Sequence, residues 1–238
     1  MHYIYVFDND SFPYGNKDDL FILKRIINII ETISKKYLIS LAVIACNTAS
    51  IIALIELRKY HLFPIIGLVP AIKPSVQITR NGIIGLLATH NTIYSNIVSD
   101  LISKFAGKCK ILAIESSKLV ILAEEKFIGK KIFLEDLRCI LKPWLNNFKT
   151  PDTIILGCTH FVLLRDELKK IFPLNTYLVD SGIAIAYRVN WLLKYKKIKL
   201  GYLKENIAYC TSLNKKSNQL SRVFRDYGFP ILKQLILN

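Results

Sequence analysis

Short apolar runs without polar alternation recur along this chain, and nearly every one leads into a segment of helical period. Residues 41–45 read LAVIA, 82–88 read GIIGLLA and 153–157 read TIILG. A strand that is apolar at successive positions must be covered on both faces. That is the situation of a parallel strand between helical layers, whereas a half-wet strand alternates. The first helical segment places Leu20, Leu23, Ile26, Ile27 and Ile30 on one face, with Asp18 or Asp19 as its cap. Strands are predicted at 3–7, 41–45, 64–68, 82–88, 109–114, 153–157, 176–179 and 207–210. Helices are predicted after Asp19 and over 48–60, 92–105, 119–126, 133–147, 163–171, 183–195 and 219–227. This alternation predicts an α/β fold of mostly parallel sheets flanked by helices. Residues 196–204 read as a linker or surface loop.

The 238 residues are 52% hydrophobic and 21% charged, which argues against disorder and allows one large or two small domains. The formal charge of +15 would suit a polyanion. Yet the lysines are dispersed in pairs such as Lys35-Lys36, Lys130-Lys131 and Lys196-Lys197, and no nucleic-acid motif accompanies them. Nucleic-acid binding is therefore set aside as the main role. A small anionic substrate fits the charge equally well, although charge alone does not select it. The five cysteines are odd in number and form no CxxC pair, so a reducing cytosol is expected. The first residues turn polar by Asp8, unlike a secretory leader, and no apolar run reaches the roughly 18 residues of a membrane span. A cytoplasmic protein is the resulting expectation.

Two cysteines stand in matching settings, Cys46 in VIACNTAS and Cys158 in IILGCTHF. Each follows an apolar run, is followed directly or after one residue by threonine, and opens a helical stretch. In open α/β sheets ligands bind at this carboxyl edge. A free thiol has a pKa of about 8.5, and helix N-terminal amides or a nearby positive group raise its thiolate fraction. Asn47, Thr48 and Thr159 offer donors to a carboxylate or amine, and His160 can exchange a proton with the second thiol. Two thiols suggest an acid and a base on opposite faces of one small substrate, the chemistry of a racemase without a cofactor. Against this stands the fact that most free cysteines are buried and inert.

Competing chemistries lack their residues. Cys158 and His160 make only two metal ligands, and His2, His61 and His90 have no i,i+4 partner, so no metal is expected. No phosphate-binding glycine motif and no GxSxG elbow occurs. On chemistry alone Tyr14-Gly15 reads as a turn, Thr89 and Thr92 as local caps, and Asp180-Ser181 as an N-cap pair.

Six segments together resemble bacterial glutamate racemases: FPYG at 12–15, VIACNTAS at 43–50, PIIGLVPAIKP at 64–74, GLLATHNTIYS at 85–95, LGCTHFVLL at 156–164 and VDSGIAIAYRV at 179–189. The resemblance implies two similar α/β domains, residues 1–68 with 181–238 and residues 69–180, and an active site in the cleft between them. It implies cofactor-independent interconversion of L- and D-glutamate, supplying D-glutamate for peptidoglycan. Cys46 would be the base for the D-isomer and Cys158 would act on the other face. Glu124 would support His160 on the second-thiol side. Tyr14, Gly15, Asn47, Thr48, Thr89, Thr92 and Thr159 would bind substrate. The expected partner is glutamate, with a homodimer compatible. The alternatives are a weakened or inactive binding or regulatory protein, such as a gyrase-interacting one, and a racemase of another amino acid.

One departure accompanies the resemblance. The family opens with a strand and an FDSGVGGL-type loop ahead of FPYG, whereas HYIYVFDNDSFPYG here resembles the family's second strand. The expectation is that the first strand–loop–helix unit is absent from this sequence, leaving a gap or edge in the first sheet. Asp8, Asp10 and Ser11 match the polar run before FPYG and are not assigned the roles of that loop.

Overall fold

The computed structural model of the protein describes residues 2–146, 150–195 and 205–237. The order is β1 (Ile4–Phe7), α1 (Asp19–Lys36), β2 (Ala42–Ile44), α2 (Asn47–Tyr60), β3 (Ile65–Gly67), α3 (Ile72–Ile78), β4 (Ile83–Ala88), α4 (His90–Ile93) and α5 (Asn96–Phe105). It continues with β5 (Lys110–Glu115), α6 (Lys118–Phe127), α7 (Leu134–Leu145), β6 (Thr153–Leu156), a 3-10 segment (Thr159–Leu164) and α8 (Arg165–Ile171). It ends with β7 (Tyr177–Val179), α9 (Gly182–Tyr195), β8 (Ile207–Cys210), α10 (Lys215–Asp226) and β9 (Ile231–Gln234). Among the described residues every strand pair is parallel, as the unalternating apolar runs require.

The four-stranded sheet has the order β5-β4-β6-β7. Its two central strands are buried on both faces. Leu87, Ile154 and Leu156 enter a cluster with Leu119, Leu137, Trp144 and Phe161. Ile84, Leu86 and Ile155 face the opposite way, onto Ile72 and Val98. At roughly 1.5–3 kcal/mol per fully buried large apolar side chain, these two layers are a principal source of this region's stability.

The remaining strands form two separate sheets, β1-β8-β9 and β2-β3. Among the described residues β1 and β2 are not paired with each other. Helix α1, capped by the Asp18 side chain on the Phe21 amide, spans both. Its Ile22 and Ile26 pack with Ala53, Leu57 and Ile65, while Ile33 packs with Tyr209 and Leu235. The strands beneath it are less covered than β4 and β6. Tyr5 is 41% exposed and Val43 37%.

Several elements differ from expectation for local reasons. The helix predicted over 92–105 is broken into α4 and α5 at Ser95. Its hydroxyl donates to the Thr92 carbonyl and accepts from the Val98 amide, closing one helix and capping the next. The helix predicted from 163 is preceded by a 3-10 segment that starts at Thr159. Helix α10 begins before the expected Gln219 because Asn214 and Ser217 form a capping box. Helix α3 and strand β9 had no predicted counterpart. The end of the 133–147 helix and the 196–204 linker lie outside the described residues. Among the described residues no helix is long and apolar enough to cross a membrane.

Candidate active site

Cys46 follows β2 and caps α2, its Sγ accepting from the Ala49 amide at 3.5 Å. Cys158 follows β6 and caps the 3-10 segment in the same extended conformation. The intervening Gly157 is held close to β4, where an added Cβ would lie 2.9 Å from the Ala88 Cβ. The two turns touch through Thr159, whose hydroxyl donates to the Ala45 carbonyl at 3.3 Å. Thus the strand ends carrying the thiols converge, as their matching sequence settings imply.

Burial pushes both thiols above their ordinary range. For Cys46 the Ala49 and Thr48 amides and the Thr48 hydroxyl pull back against that rise. For Cys158 burial is joined by repulsion from a Cys46 thiolate, and the thiol is pushed up to about 12 despite the amides of His160 and Phe161. A thiolate at the first cysteine therefore disfavours one at the second. The pair favours one base and one acid at a time.

His160 links the second thiol to a carboxylate. Its Nδ1 lies 3.9 Å from Cys158 Sγ and its Nε2 lies 2.9 Å from Glu124 Oε1. With the proton on Nε2 shared with Glu124, Nδ1 faces the thiol as an acceptor. Helix α6 supplies Glu124, which is far from a solvated helix residue in this setting.

Three buried hydroxyls form the floor. Thr48 lies 3.0 Å from Thr89 and 3.3 Å from Thr92, and those two are 3.1 Å apart. Beside them Asn47 is 3% exposed, and its Oδ1 has no hydrogen-bond partner among the described residues. An orphaned buried acceptor costs about 1–3 kcal/mol, and Asn47 carries that cost beside the three hydroxyls. Tyr14 and Gly15 close the group. The Gly15 carbonyl accepts from the Asn91 amide at 3.2 Å, and a Cβ on Gly15 would fall 2.7 Å from the Thr89 side chain. Tyr14-Gly15 is therefore more than a turn, because it is docked on the opposite wall.

The geometry brings together most of the residues singled out from the sequence: Tyr14, Gly15, Cys46, Thr48, Thr89, Thr92, Cys158, Thr159, His160 and Glu124, with Asn47 adjoining Thr48. Sequence reading missed the group behind Tyr14, in which Asp8 is held by Arg25 and Thr211. Only the β1–β8 pairing brings Thr211 there, and no local pattern signals it. Among the described residues no group of three or more His, Cys, Asp or Glu side chains could hold a metal ion.

Over residues 15–188 the chain matches the family described as Asp/Glu/Hydantoin racemase. It is 48% identical over 237 residues to a glutamate racemase of Klebsiella pneumoniae (strain 342), covering 100% of this chain and 84% of that protein. To a glutamate racemase of Salmonella typhi it is 48% identical over 235 residues, covering 99% and 83%. The crystal structure of Escherichia coli glutamate racemase in complex with L-glutamate and the activator UDP-MurNAc-Ala superposes with a TM-score of 0.97. That match has 45% sequence identity and covers 100% of this chain and 90% of that one.

Proposed function

The chain belongs to the Asp/Glu/Hydantoin racemase family, and we propose that it is a glutamate racemase whose two thiols move the α-proton. Cys46 takes the proton from D-glutamate and Cys158 returns one to the opposite face; the roles reverse for L-glutamate. The α-proton of an amino acid is weakly acidic. Charge that develops on the substrate carboxylate therefore needs fixed donors, and preorganised ones cost no reorganisation. Thr48, Thr89 and Thr92 supply hydroxyls and Asn47 its amide, while Thr159 ties the two thiol-bearing turns together through the Ala45 carbonyl and the Tyr14-Gly15 loop fixes the remaining wall. His160, held by Glu124, tunes and relays the Cys158 proton. The product D-glutamate would serve peptidoglycan synthesis.

The observation that carries this reading is the convergence of the two cysteine-bearing strand ends, joined by the Thr159 hydroxyl on the Ala45 carbonyl, with His160 and Glu124 placed behind the second thiol. The domain division also has support. Strand β1 pairs with β8, so the chain's two ends share one sheet, while β4 to β7 pair among themselves. Residues 1–68 with 181–238, and 69–180, are the proposed domains. Among the described residues β1 and β2 each pair on one edge only, β1 with β8 and β2 with β3.

The test is to incubate the protein with either enantiomer in deuterated water. Circular dichroism would follow inversion and proton NMR would follow deuterium at Cα. Glutamate that binds but neither inverts nor exchanges would sink the reading. A second expectation concerns the loop. Gly15→Ala should lower kcat/KM by about ten- to a hundredfold, because the new methyl displaces either the loop or Thr89 by a fraction of an ångström to an ångström. Steady-state kinetics with a melting control would check it, and unchanged kinetics would show that the loop does not shape the site.

A further inference from the structure

Behind the Tyr14-Gly15 loop sits a polar cluster that the two-thiol mechanism does not use. Asp8 lies just past β1, with its side chain 7% exposed. Its Oδ2 accepts from the Tyr14 hydroxyl at 2.6 Å and from Arg25 Nε at 2.8 Å. Its Oδ1 accepts from Arg25 Nη2 at 2.8 Å and from the Thr211 hydroxyl at 2.6 Å. Four donors fill the acceptor sites of one carboxylate. Arg25 comes from α1, Thr211 from the end of β8 and Tyr14 from the substrate loop, so three distant segments meet on one buried charge. Arg25 also reaches the more exposed Asp10 at 3.1 Å.

Hydrogen-bond polarity has a consequence for the thiol. Burial works against ionisation of Asp8, but the bonds from Arg25, Thr211 and Tyr14 outweigh it and hold the carboxyl below its usual range. An ionised carboxylate only accepts, so the single phenolic proton of Tyr14 points at Asp8. Burial, the bond to Asp8 and the Asp8 charge drive the phenol well above its ordinary range. A Cys46 thiolate adds to the rise, and only Arg25 opposes it. Tyr14 and Cys46 pack against the same cluster of Ile22, Ala49 and Ala53. A phenol free to turn its proton toward a neighbouring thiolate would bond it and weaken it as a base.

Resting on the racemase reading, we propose that Asp8, clamped by Arg25 and Thr211, is a positioning residue. It holds the Tyr14 proton away from Cys46 and anchors the Tyr14-Gly15 loop against Thr89.

The experiment is a suppressor test on the full chain. Asp8→Asn keeps the shape and removes the charge, and Arg25 retains Asp10. With D-glutamate the variant should lose about tenfold or more in kcat, the scale of an impaired general base. KM should rise as the loop loosens. Adding Tyr14→Phe removes the misdirected donor, so the double variant should regain most of that kcat while KM stays high. A merely structural role predicts a double variant as slow as or slower than Asp8→Asn, and that result would overturn the proposal. A second readout needs no turnover. The Tyr14 titration is isolated by subtracting the alkaline absorption of a Tyr14→Phe chain from that of its Tyr14 counterpart. With Asp8 intact the difference should show no tyrosinate step. With Asp8→Asn in both members of the pair it should show a clear step at lower pH. Identical difference titrations with and without Asp8→Asn would also overturn the proposal. A chain that fails to racemise glutamate yet shows the tyrosinate shift would sink the function and leave the clamp standing.

Discussion

Replacing either active thiol by serine is expected to lower racemisation in both directions by about 10²–10⁴-fold, the usual worth of a positioned acid or base. A hydroxyl is a far weaker acid than a thiol, so serine supplies almost no conjugate base near neutral pH. The sharper expectation is an asymmetry in proton exchange. In Cys46→Ser the base for D-glutamate is gone, so D-glutamate should take up no solvent deuterium. Cys158 remains able to deprotonate L-glutamate, which should still exchange slowly without inverting. Cys158→Ser should show the mirror image. Repulsion between the charged forms strengthens this contrast, because a Cys46 thiolate is one cause of the raised Cys158 thiol. Removing Cys46 therefore lowers the Cys158 pKa, and the surviving base should ionise at lower pH than in the intact pair. Separate incubation of each enantiomer in deuterated water, read by NMR across a pH series, would measure all of this. Exchange lost equally from both enantiomers in each variant would mean that the two thiols do not serve opposite faces.

How much of this was legible beforehand depends on the range of the forces involved. Strands β4 and β6 were readable because a two-sided core writes itself into consecutive apolar residues. Cys46 and Cys158 were readable because each ends such a run and opens a helix. The cap at Asp18 follows a local rule, and so does its bond to Phe21. The elements that escaped have weak local signals. Helix α3 carries Pro74 in its first turn and is held by Ile72 against the β4 layer. Strand β9 is four residues that owe their state to pairing with β8. The break at Ser95 is a side-chain event inside a segment whose periodicity continues. The Asp8 cluster lies furthest from local reading, since Thr211 reaches Asp8 only after β8 has aligned with β1. Glu124 had equal claims as a solvated residue and as a partner of His160 until α6 was packed against the 3-10 segment.

Extending the chain at its N-terminus with a strand–loop–helix unit of the FDSGVGGL type is expected to raise both melting temperature and turnover. The fold itself gives the reason. In the four-stranded sheet β4 lies between β5 and β6, and β6 leads to Cys158. In chain order β1 corresponds to β5, and β2 leads to Cys46 as β6 leads to Cys158. The counterpart of β4 would lie between β1 and β2, each of which pairs on one edge only among the described residues. Such a strand would pair the open backbone groups of both edges and cover residues such as Tyr5 and Val43. Two further buried apolar side chains would contribute about 3–6 kcal/mol, against a typical net stability of about 5–15 kcal/mol. For a chain of this size each kcal/mol moves the midpoint by about 2–4 °C, so a rise of roughly 6 °C or more is expected. The loop after the strand would enter the cleft beside Cys46, as the segment after β4 brings Thr89 and Thr92 beside Thr48. Asp8 offers no substitute for an aspartate on that loop, because its four acceptor positions are taken by Tyr14, Arg25 and Thr211. Side-by-side melts and racemisation assays of the two versions would decide. Equal midpoints and equal turnover would mean that the β1 and β2 edges are a finished arrangement, and that Asp10, Ser11 or another residue near Cys46 already does the work assigned to the loop.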